Sequence, residues 1–278
     1  MARTQTNIWK FLKRAVLWGG TACTVLFLVS MVAFQSNLNQ HHLRYRLDSD
    51  SGQPREALQE ETVEVLRQRI DVMEGDFGLS ESSVYVGGDG LVHLRFTTRS
   101  ELEEVLFWLL RPARVRLTLV HPGASGGSEH EYEDPPEGYQ DYVYTRYLYR
   151  ISRPGELRTE HEHYLLGKNP VLEVDQLRSA HFNKVGLHSR TELTFRFEPE
   201  DAEKFRDVTA LNVGRRMAML VDDRLFFPPR EIGEPIDGDA IQIQGYFYNP
   251  PLRKLVKVLN AGSLPAPLVK FSHQIQAQ

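Results

Sequence analysis

The chain has 278 residues, of which 41% are hydrophobic and 25% are charged, a composition typical of a globular protein with one or two cores. Its net charge is −4, and because the first 14 residues carry four positive charges and no negative one, residues 15–278 keep a net charge of −8. This acidic balance argues against a nucleic-acid-binding surface, which needs a basic patch. The single cysteine, Cys23, lies in an apolar stretch, so the chain has no internal disulfide.

An uncharged apolar stretch of 20 residues occupies positions 15–34. At about 1.5 Å per residue, a helix of this length spans a hydrocarbon core of about 30 Å. Basic residues precede the stretch, and the next one is Arg44, so the charge asymmetry predicts a cytoplasmic N-terminus. We therefore expect a cytoplasmic tail at 1–14 and a transmembrane anchor at 15–34. The alternative, a cleaved signal peptide, has a shorter apolar core and small residues at its cleavage site.

After a polar spacer at 35–42, hydrophobic periodicity predicts a first α+β unit. Its predicted elements are a strand at 43–48, a helix at 56–73, a hairpin at 83–96, a helix at 100–110 and a strand at 115–120. Glycines at 87, 88 and 90 supply the hairpin turn. This order of elements predicts a small sandwich of the ferredoxin-like kind.

A loop rich in Gly, Pro and acids, at 121–142, leads to a second α+β unit. Its predicted elements are strands at 142–150, 160–166, 192–197, 217–221, 225–227 and 239–247, and a helix opened by Pro199 and closed by Gly214. A last helix at 252–259 precedes a closing strand at 269–275, which has no partner nearby and is expected to return to the first sheet. This predicts a base formed by 43–121 and 250–278, with a head at 122–249 inserted in it.

Three blocks of sequence are more specific than the periodicity. The first is 65–71, the second is 205–222 with its continuation through 229–232 to 241–245, and the third is 260–268, NAGSLPAPL. In this order they resemble the periplasmic domain of the SecD/SecDF protein-export family. The resemblance implies structural positions for eight motif residues: Asn212, Gly214, Arg215, Pro229, Gly245, Gly262, Pro265 and Pro267.

The resemblance also implies a fold and a role. It implies a P1-type domain, in which a ferredoxin-like base carries a head that moves on a hinge and contacts an unfolded polypeptide leaving the translocon. Family members couple this motion to proton flow through a bundle of membrane helices. Because this chain has one predicted span, at 15–34, we expect an accessory of protein export in the bacterial inner membrane, with its bulk periplasmic, and not a proton-driven motor.

The expected partners follow from the same resemblance. They are the Sec translocon or SecD/SecF-type membrane proteins, an unfolded secretory polypeptide, and the lipid bilayer through residues 15–34; no nucleic acid is expected. The alternative is a cell-envelope scaffold that keeps the fold without a transport role.

Aromatic residues in the predicted head are the candidates for polypeptide contact. They are Tyr142, Tyr144, Tyr147, Tyr149 and Tyr246. Exposed strand edges in the head can accept an extended chain by strand addition, with aromatic rings contacting its side chains. The alternative, which we favour for most of these aromatics, is that they pack the sheets of the head.

Sites for metals and catalysis are weakly marked. His161 and His163 share one face of a predicted strand, but the spacing marks no third ligand, and the pattern favours a solvated strand face. His41 and His42 are interpreted as part of the polar spacer. No nucleophile–base pair and no cofactor motif is present, so we expect neither a cofactor nor enzyme activity.

Overall fold

Four α-helices and a larger number of strands form an α+β fold in the described part of the chain. The computed structural model describes residues 39–48, 54–124, 127–149, 157–185, 190–245 and 249–277. Its α-helices are α1 (Arg55–Phe77), α2 (Leu102–Leu109), α3 (Pro199–Leu211) and α4 (Asn249–Asn260). Its strands are β1 (Asn39–Leu47), β2 (Ser80–Val86), β3 (Val92–Thr97), β4 (Val115–Leu119), β5 (Tyr139–Tyr149), β6 (Leu157–Gly167), β7 (Leu172–Val174), β8 (Ser179–Val185), β9 (Arg190–Arg196), β10 (Arg216–Val221), β11 (Arg224–Leu225), β12 (Arg230–Glu231), β13 (Ala240–Gly245) and β14 (Leu268–Ala277). The predicted α+β class is confirmed.

A four-stranded antiparallel sheet joins the two ends of the described chain. Its order is β14-β1-β3-β2. Strand β14 pairs with β1 from Asn39 opposite Ala277 to Leu47 opposite Leu268, so the prediction that the closing strand returns to the first sheet is confirmed. With α1 after β1 and α4 before β14, the unit has the connections of a ferredoxin-like fold. We call this sheet with α1, α4 and the neighbouring α2 the base.

Helix α1 covers one face of the base sheet because its apolar residues recur at helical spacing. Leu66 of α1, Leu43 of β1 and Leu94 of β3 are each 0% exposed and belong to one apolar core. The helix ends at Gly78, whose φ of 56° lets its N–H bond to the carbonyl of Glu74. The helix therefore runs one turn beyond the predicted end at position 73.

The expectation that a strand at 115–120 completes the first α+β unit is wrong. This segment is β4, which pairs with β10, with Val115 opposite Val221 and Leu119 opposite Met217, and with β7 on its other side. Residues on both faces of β4 are buried, as suits the centre of a larger sheet. The corresponding place in the base sheet is taken by β14, from the other end of the chain.

The described chain also begins differently from the prediction. Strand β1 starts at Asn39, so residues 39–42, expected in the polar spacer, lie in the base sheet. Two flanking strands hold them there, and His41 is buried with 8% exposure. The predicted anchor at 15–34 lies outside the described residues, and among those described no helix is both long and apolar enough to cross a bilayer.

The part of the chain between the base elements forms what we call the head. Within the described residues it contains a seven-stranded sheet in the order β6-β5-β11-β10-β4-β7, with β12 beside β10, and a three-stranded sheet in the order β13-β9-β8. Phe205 of α3 and Phe195 of β9 belong to the same apolar core as the base. A smaller core surrounds Tyr144, Tyr164 and Leu166. The exact domain boundaries stay a prediction.

Candidate polypeptide-binding groove

Strand β5 has one fully paired edge and one largely open edge. It pairs antiparallel with β6 over all 11 of its residues, from Tyr139 opposite Gly167 to Tyr149 opposite Leu157. On its other edge the described residues provide one pair, Leu225 of β11 opposite Tyr144. An open edge presents backbone N–H and C=O groups to which an extended chain can add as a further strand.

The hydrogen bonds of β6 show which residues of β5 face the open edge. The N–H of His163 donates to the carbonyl of Ser128 at 2.7 Å, and its C=O accepts from the N–H of Ser128 at 2.9 Å. Because Ser128 lies on the side of β6 away from β5, His163 and Val143 form a non-hydrogen-bonded pair. The backbone groups of Val143 therefore point to the second edge of β5, where the one pair with β11 begins. By the alternation of the ladder, those of Asp141 and Thr145 do so as well.

A cavity of about 740 Å³ lies beside this edge. It is lined by residues 140–145 of β5, by α2, by the β10–β11 turn with the residues after it, and by the start of α4. Aromatic side chains in the lining are Phe107, Trp108, Tyr142, Tyr144 and Phe226. Since α2 and α4 belong to the base and β5 to the head, the cavity lies where the two meet, and we call it the junction groove. Its volume is within the range of about 300–1,000 Å³ usual for ligand sites.

Arginine side chains lie over the aromatic rings of the groove wall. The guanidinium of Arg224 is 4.3 Å from the centre of the Phe107 ring. That of Arg111 is 4.9 Å from Phe107, 5.2 Å from Trp108 and 5.3 Å from Phe226. Cation–π contacts of this kind hold the rings in place. The groove thus combines a strand edge, aromatic surface and positive charge.

The turn between β10 and β11 connects the groove to the base. Asp222 accepts a hydrogen bond from Arg111 Nε at 2.6 Å and another from the backbone N–H of Arg114 at 2.9 Å. The side chains of Arg111 and Asp222 are 4% and 11% exposed, and burial lowers the pKa of Arg111, opposed by the Asp222 carboxylate. Asp223 pairs with Arg116 and is 68% exposed. The sequence predicted a turn here but not this buried ion pair.

Comparison with known proteins gives similarity along most of the chain. The family model described as SecDF, P1 head subdomain, matches residues 148–266. SecD of Calditerrivibrio nitroreducens is 27% identical over 210 residues, which are 75% of this chain and 39% of that protein. SecD of Rickettsia prowazekii is 26% identical over 236 residues, or 84% of this chain and 41% of that protein. The chain therefore spans about two fifths of the length of these curated relatives.

Solved structures extend the similarity to the fold. A structure described as a membrane component SecDF that enhances protein export has a TM-score of 0.55 and 22% identity, covering 83% of this chain and 98% of that chain. SecDF in a super-membrane-facing form has a TM-score of 0.57 and 21% identity, covering 86% of this chain and 30% of that one.

This chain contains a SecD/SecDF P1 domain.

The central motif of the P1 domain shapes the loop after α3. Asn212 ends the helix, and its side chain donates to the Val208 carbonyl at 2.8 Å. Arg215 donates to the side-chain oxygen of Asn212 at 3.2 Å. Gly214 has a φ of 79° and donates its N–H to the Ile232 carbonyl at 2.8 Å, a backbone conformation that favours glycine. These contacts fix the path of the chain from α3 into β10.

The remaining motif residues of the P1 domain hold other loops. The Pro229 carbonyl accepts from Arg216 at 2.7 Å, and Gly245 is the last residue of β13. The Pro267 carbonyl accepts from the N–H of Asp48 at 3.0 Å. Pro265 lies between Gly262 and Pro267. Gly262 has a φ of 91°, and it is contacted by a residue of α1.

That residue is Arg69, which the sequence did not single out. Its guanidinium donates to the carbonyls of Leu109 at 2.8 Å, Arg111 at 2.5 Å and Gly262 at 2.6 Å. The side chain is fully buried, and burial lowers its pKa to about 9, opposed by the charge of Asp222. One signal was available, because position 69 falls on the apolar face of α1, three residues after Leu66. We call this arrangement the carbonyl clamp.

The structure separates the predicted contact tyrosines. Tyr142 is half-buried and lines the junction groove. Tyr144 also borders the groove, but it is 7% exposed and packs in the smaller core of the head. Tyr147 and Tyr149 lie on β5, but their side chains are not among the described ones, and Tyr246 lies outside the described residues. Val143, 44% exposed beside the groove, was not predicted.

The segment 160–163 lies on β6, and its side chains contact neighbours on β5. His163 bonds to Asp141 at 2.7 Å, and Glu162 pairs with Arg146 at 2.5 Å. Across the described ranges, no three His, Cys, Asp or Glu side chains come close enough together to hold a metal ion.

Proposed function

We propose that this protein is an accessory of protein export, anchored in the bacterial inner membrane by its N-terminal segment with the P1 domain in the periplasm. In this role the domain contacts a translocating polypeptide beside the Sec translocon, and the chain is neither an enzyme nor by itself a proton-driven motor. Similarity to SecD and SecDF proteins supports the role in export. The observation that carries the contact is the open edge of β5 beside the junction groove.

Strand addition suits an unfolded polypeptide because main-chain hydrogen bonds do not depend on its sequence. Strand β11 pairs with β5 between Val143 and Thr145, so an incoming segment would pair before this point, at Asp141 and at the N–H of Val143. Alternate side chains of that segment would face the rings of Phe107 and Phe226. Since the paired stretch is short, the contact is weak and reversible, as passage of a chain in transit requires.

In-cell photocrosslinking tests the proposal. A photoreactive residue at Val143, 44% exposed at the edge of the groove, is expected to crosslink to a secretory protein stalled in export, and the crosslink should disappear when stalling is relieved. The matched control is a probe at Glu203 of α3, with a side chain 72% exposed and outside the groove lining, which is expected to give no such product.

The same experiment distinguishes the scaffold alternative. Crosslinks from Val143 only to a resident membrane protein, unchanged by stalling, would contradict polypeptide contact and favour an envelope scaffold. Equal crosslinking of the secretory chain from Val143 and Glu203 would show proximity without a binding groove.

A further inference from the structure

The base sheet has a second face, opposite to the one that packs on α1. Along β1 the buried residues Leu43 and Tyr45 alternate with Arg44 and Arg46, which therefore lie on the opposite face. Arg95 of β3 pairs with His42 of β1 and lies on the same face. Arg46 and Arg95 are exposed. We call this surface the open face.

Exposed apolar side chains lie among these arginines. Val269 of β14 is directly opposite Arg46 and is 40% exposed. Phe271 is 60% exposed, and the guanidinium of Arg44 lies 5.6 Å from the centre of its ring. Basic residues interleaved with exposed aliphatic and aromatic side chains are typical of surfaces that bind at a membrane interface.

Two carboxylates also lie near the open face. Asp89 bonds to His93 at 2.9 Å and lies 3.7 Å from Arg44, so it offsets that arginine. Glu81 accepts from Gln40 at 3.5 Å, near the start of β1. Arg46 and Arg95 both reach solvent.

The helix side of the base has the opposite charge. Seven acidic residues are exposed along α1, against two exposed arginines, Arg55 and Arg67. The acids are Glu56, Glu60, Glu61, Glu64, Asp71, Glu74 and Asp76. Helix α4 adds Arg253, Lys254 and Lys257 on the same side, and the two lysines pair with Glu104 and Asp76. The helix side therefore keeps an excess of acidic residues, whereas the sheet side carries arginines. A negatively charged surface attracts the sheet side and repels the helix side, which fixes an orientation as well as a contact.

We propose that the open face docks on the surface of an anionic phospholipid bilayer, with Arg46 and Arg95 at the headgroups and Val269 and Phe271 at the interface. The position of the base along the chain supports this partner. Strand β1 begins four residues after the end of the predicted anchor, and at about 3.3–3.6 Å per residue four residues keep its first residue close to the bilayer. The inference goes beyond the junction groove, because no residue of the open face lines that groove.

Fluorescence quenching in nanodiscs tests the docking with the full chain. A Cys23→Ser, Val269→Cys variant, labelled with an environment-sensitive dye, is placed in discs of phosphatidylcholine with or without phosphatidylglycerol, together with a lipid-attached quencher. We expect quenching in the anionic discs, little in the neutral ones, and loss at high salt. Arg46→Gln and Arg95→Gln should each reduce the docked-to-undocked ratio about fivefold, the effect of one basic residue near an anionic surface.

Two controls make the result specific. Arg178→Gln and Arg206→Gln change the net charge equally at head residues whose side chains are 58% and 47% exposed, and they should leave the quenching unchanged. A label at Leu211, 85% exposed in the head, should stay unquenched. Equal quenching at Val269 in neutral and anionic discs would mean proximity through the anchor alone and would overturn the proposal. Absence of quenching in anionic discs, or equal loss with the control arginines, would overturn it too.

Discussion

Two long strands, β1 in the base and β5 in the head, differ in how their two edges are paired. Strand β1 pairs with β14 over its whole length on one side and with β3 from Gln40 to Tyr45 on the other. Strand β5 pairs fully with β6, but the described residues give it one pair, at Tyr144, on its second edge. A strand paired on both sides holds a sheet together, whereas a strand paired on one side keeps backbone groups for a partner.

Two buried arginines, Arg69 and Arg111, also differ in the parts of the molecule that they connect. In the base, Arg69 binds the carbonyl groups of Leu109 and Gly262, which lie before and after the head along the chain, and so closes the unit. At the groove, Arg111 binds Asp222 across the junction between base and head. One buried arginine thus closes the base, and the other links the base to the head.

The largest expected effect lies in the base. Arg69→Met should lower the free energy of unfolding by about 3–5 kcal/mol, because buried carbonyls lose charged donors. Urea unfolding of the full chain in detergent, followed by circular dichroism, measures this. The control Arg55→Met, at an exposed position in the same helix, should stay within about 0.5 kcal/mol of the parent. A result for Arg69→Met close to that of the control would show that the clamp does not hold the base.

A second test compares the two aspartates of the β10–β11 turn. Asp222→Asn should cost about 3 kcal/mol, because the buried Arg111 loses its carboxylate, whereas Asp223→Asn should cost no more than about 1 kcal/mol, because its ion pair is exposed. Asparagine tolerates the left-handed backbone at both positions, where φ is 48° and 62°. If both variants lose the same free energy of unfolding in urea, the ion pair between Arg111 and Asp222 does not stabilise the junction.

A smaller effect is expected from pH. Burial lowers the pKa of His41, and the nearby His273, 3.1 Å away, lowers it further; burial and Lys270 lower the pKa of His273. The folded protein then binds fewer protons than the unfolded chain, so the free energy of unfolding should decrease as pH falls below about 6.5, the unfolded value. His41→Gln should flatten this dependence, and His130→Gln, at an exposed histidine in the head, should not. An unchanged pH profile in His41→Gln would contradict this origin.

The smallest effect on stability is expected at the open edge. Val143→Pro removes an N–H that points away from β6, so the free energy of unfolding should change by only about 0.5 kcal/mol. Strand addition needs that N–H, and crosslinking of a stalled secretory chain from a probe at Tyr142 should therefore be lost. Persistent crosslinking in this variant would mean that the chain binds without pairing to β5.

The sequence predicted individual elements better than their partners. The apolar periodicity of α1 and the alternation in β10 and β14 are local signals, and these elements form close to where they were expected. Strand β4 was assigned to the wrong sheet because its apolar residues fit either one. Residues 39–42 were assigned to a spacer because their polar composition hides a strand that is held by two neighbours.

For the groove, the sequence indicated aromatic strands in the head but not which rings stay accessible. Tyr142 and Tyr144 have the same type and the same parity on β5, yet Tyr144 is a buried member of the core with Tyr164 and Leu166, whereas Tyr142 packs against that core and stays half-buried. Val143 was overlooked because an isolated valine carries no signal of an open edge.

By itself, the sequence determined the order of helices and strands and the motif blocks that indicate the family, because these depend on residues that are neighbours along the chain. It also determined the return of the last strand to the first sheet, because that strand has no partner nearby in sequence. Only the tertiary structure decided which edge of β5 stays open, which arginines are buried, and how charge divides between the two sides of the base. These features join residues such as Arg111 and Asp222, 111 positions apart, or Arg69 and Gly262, 193 positions apart. Their energies depend on desolvation and on hydrogen-bond geometry in the folded chain, which no local pattern encodes.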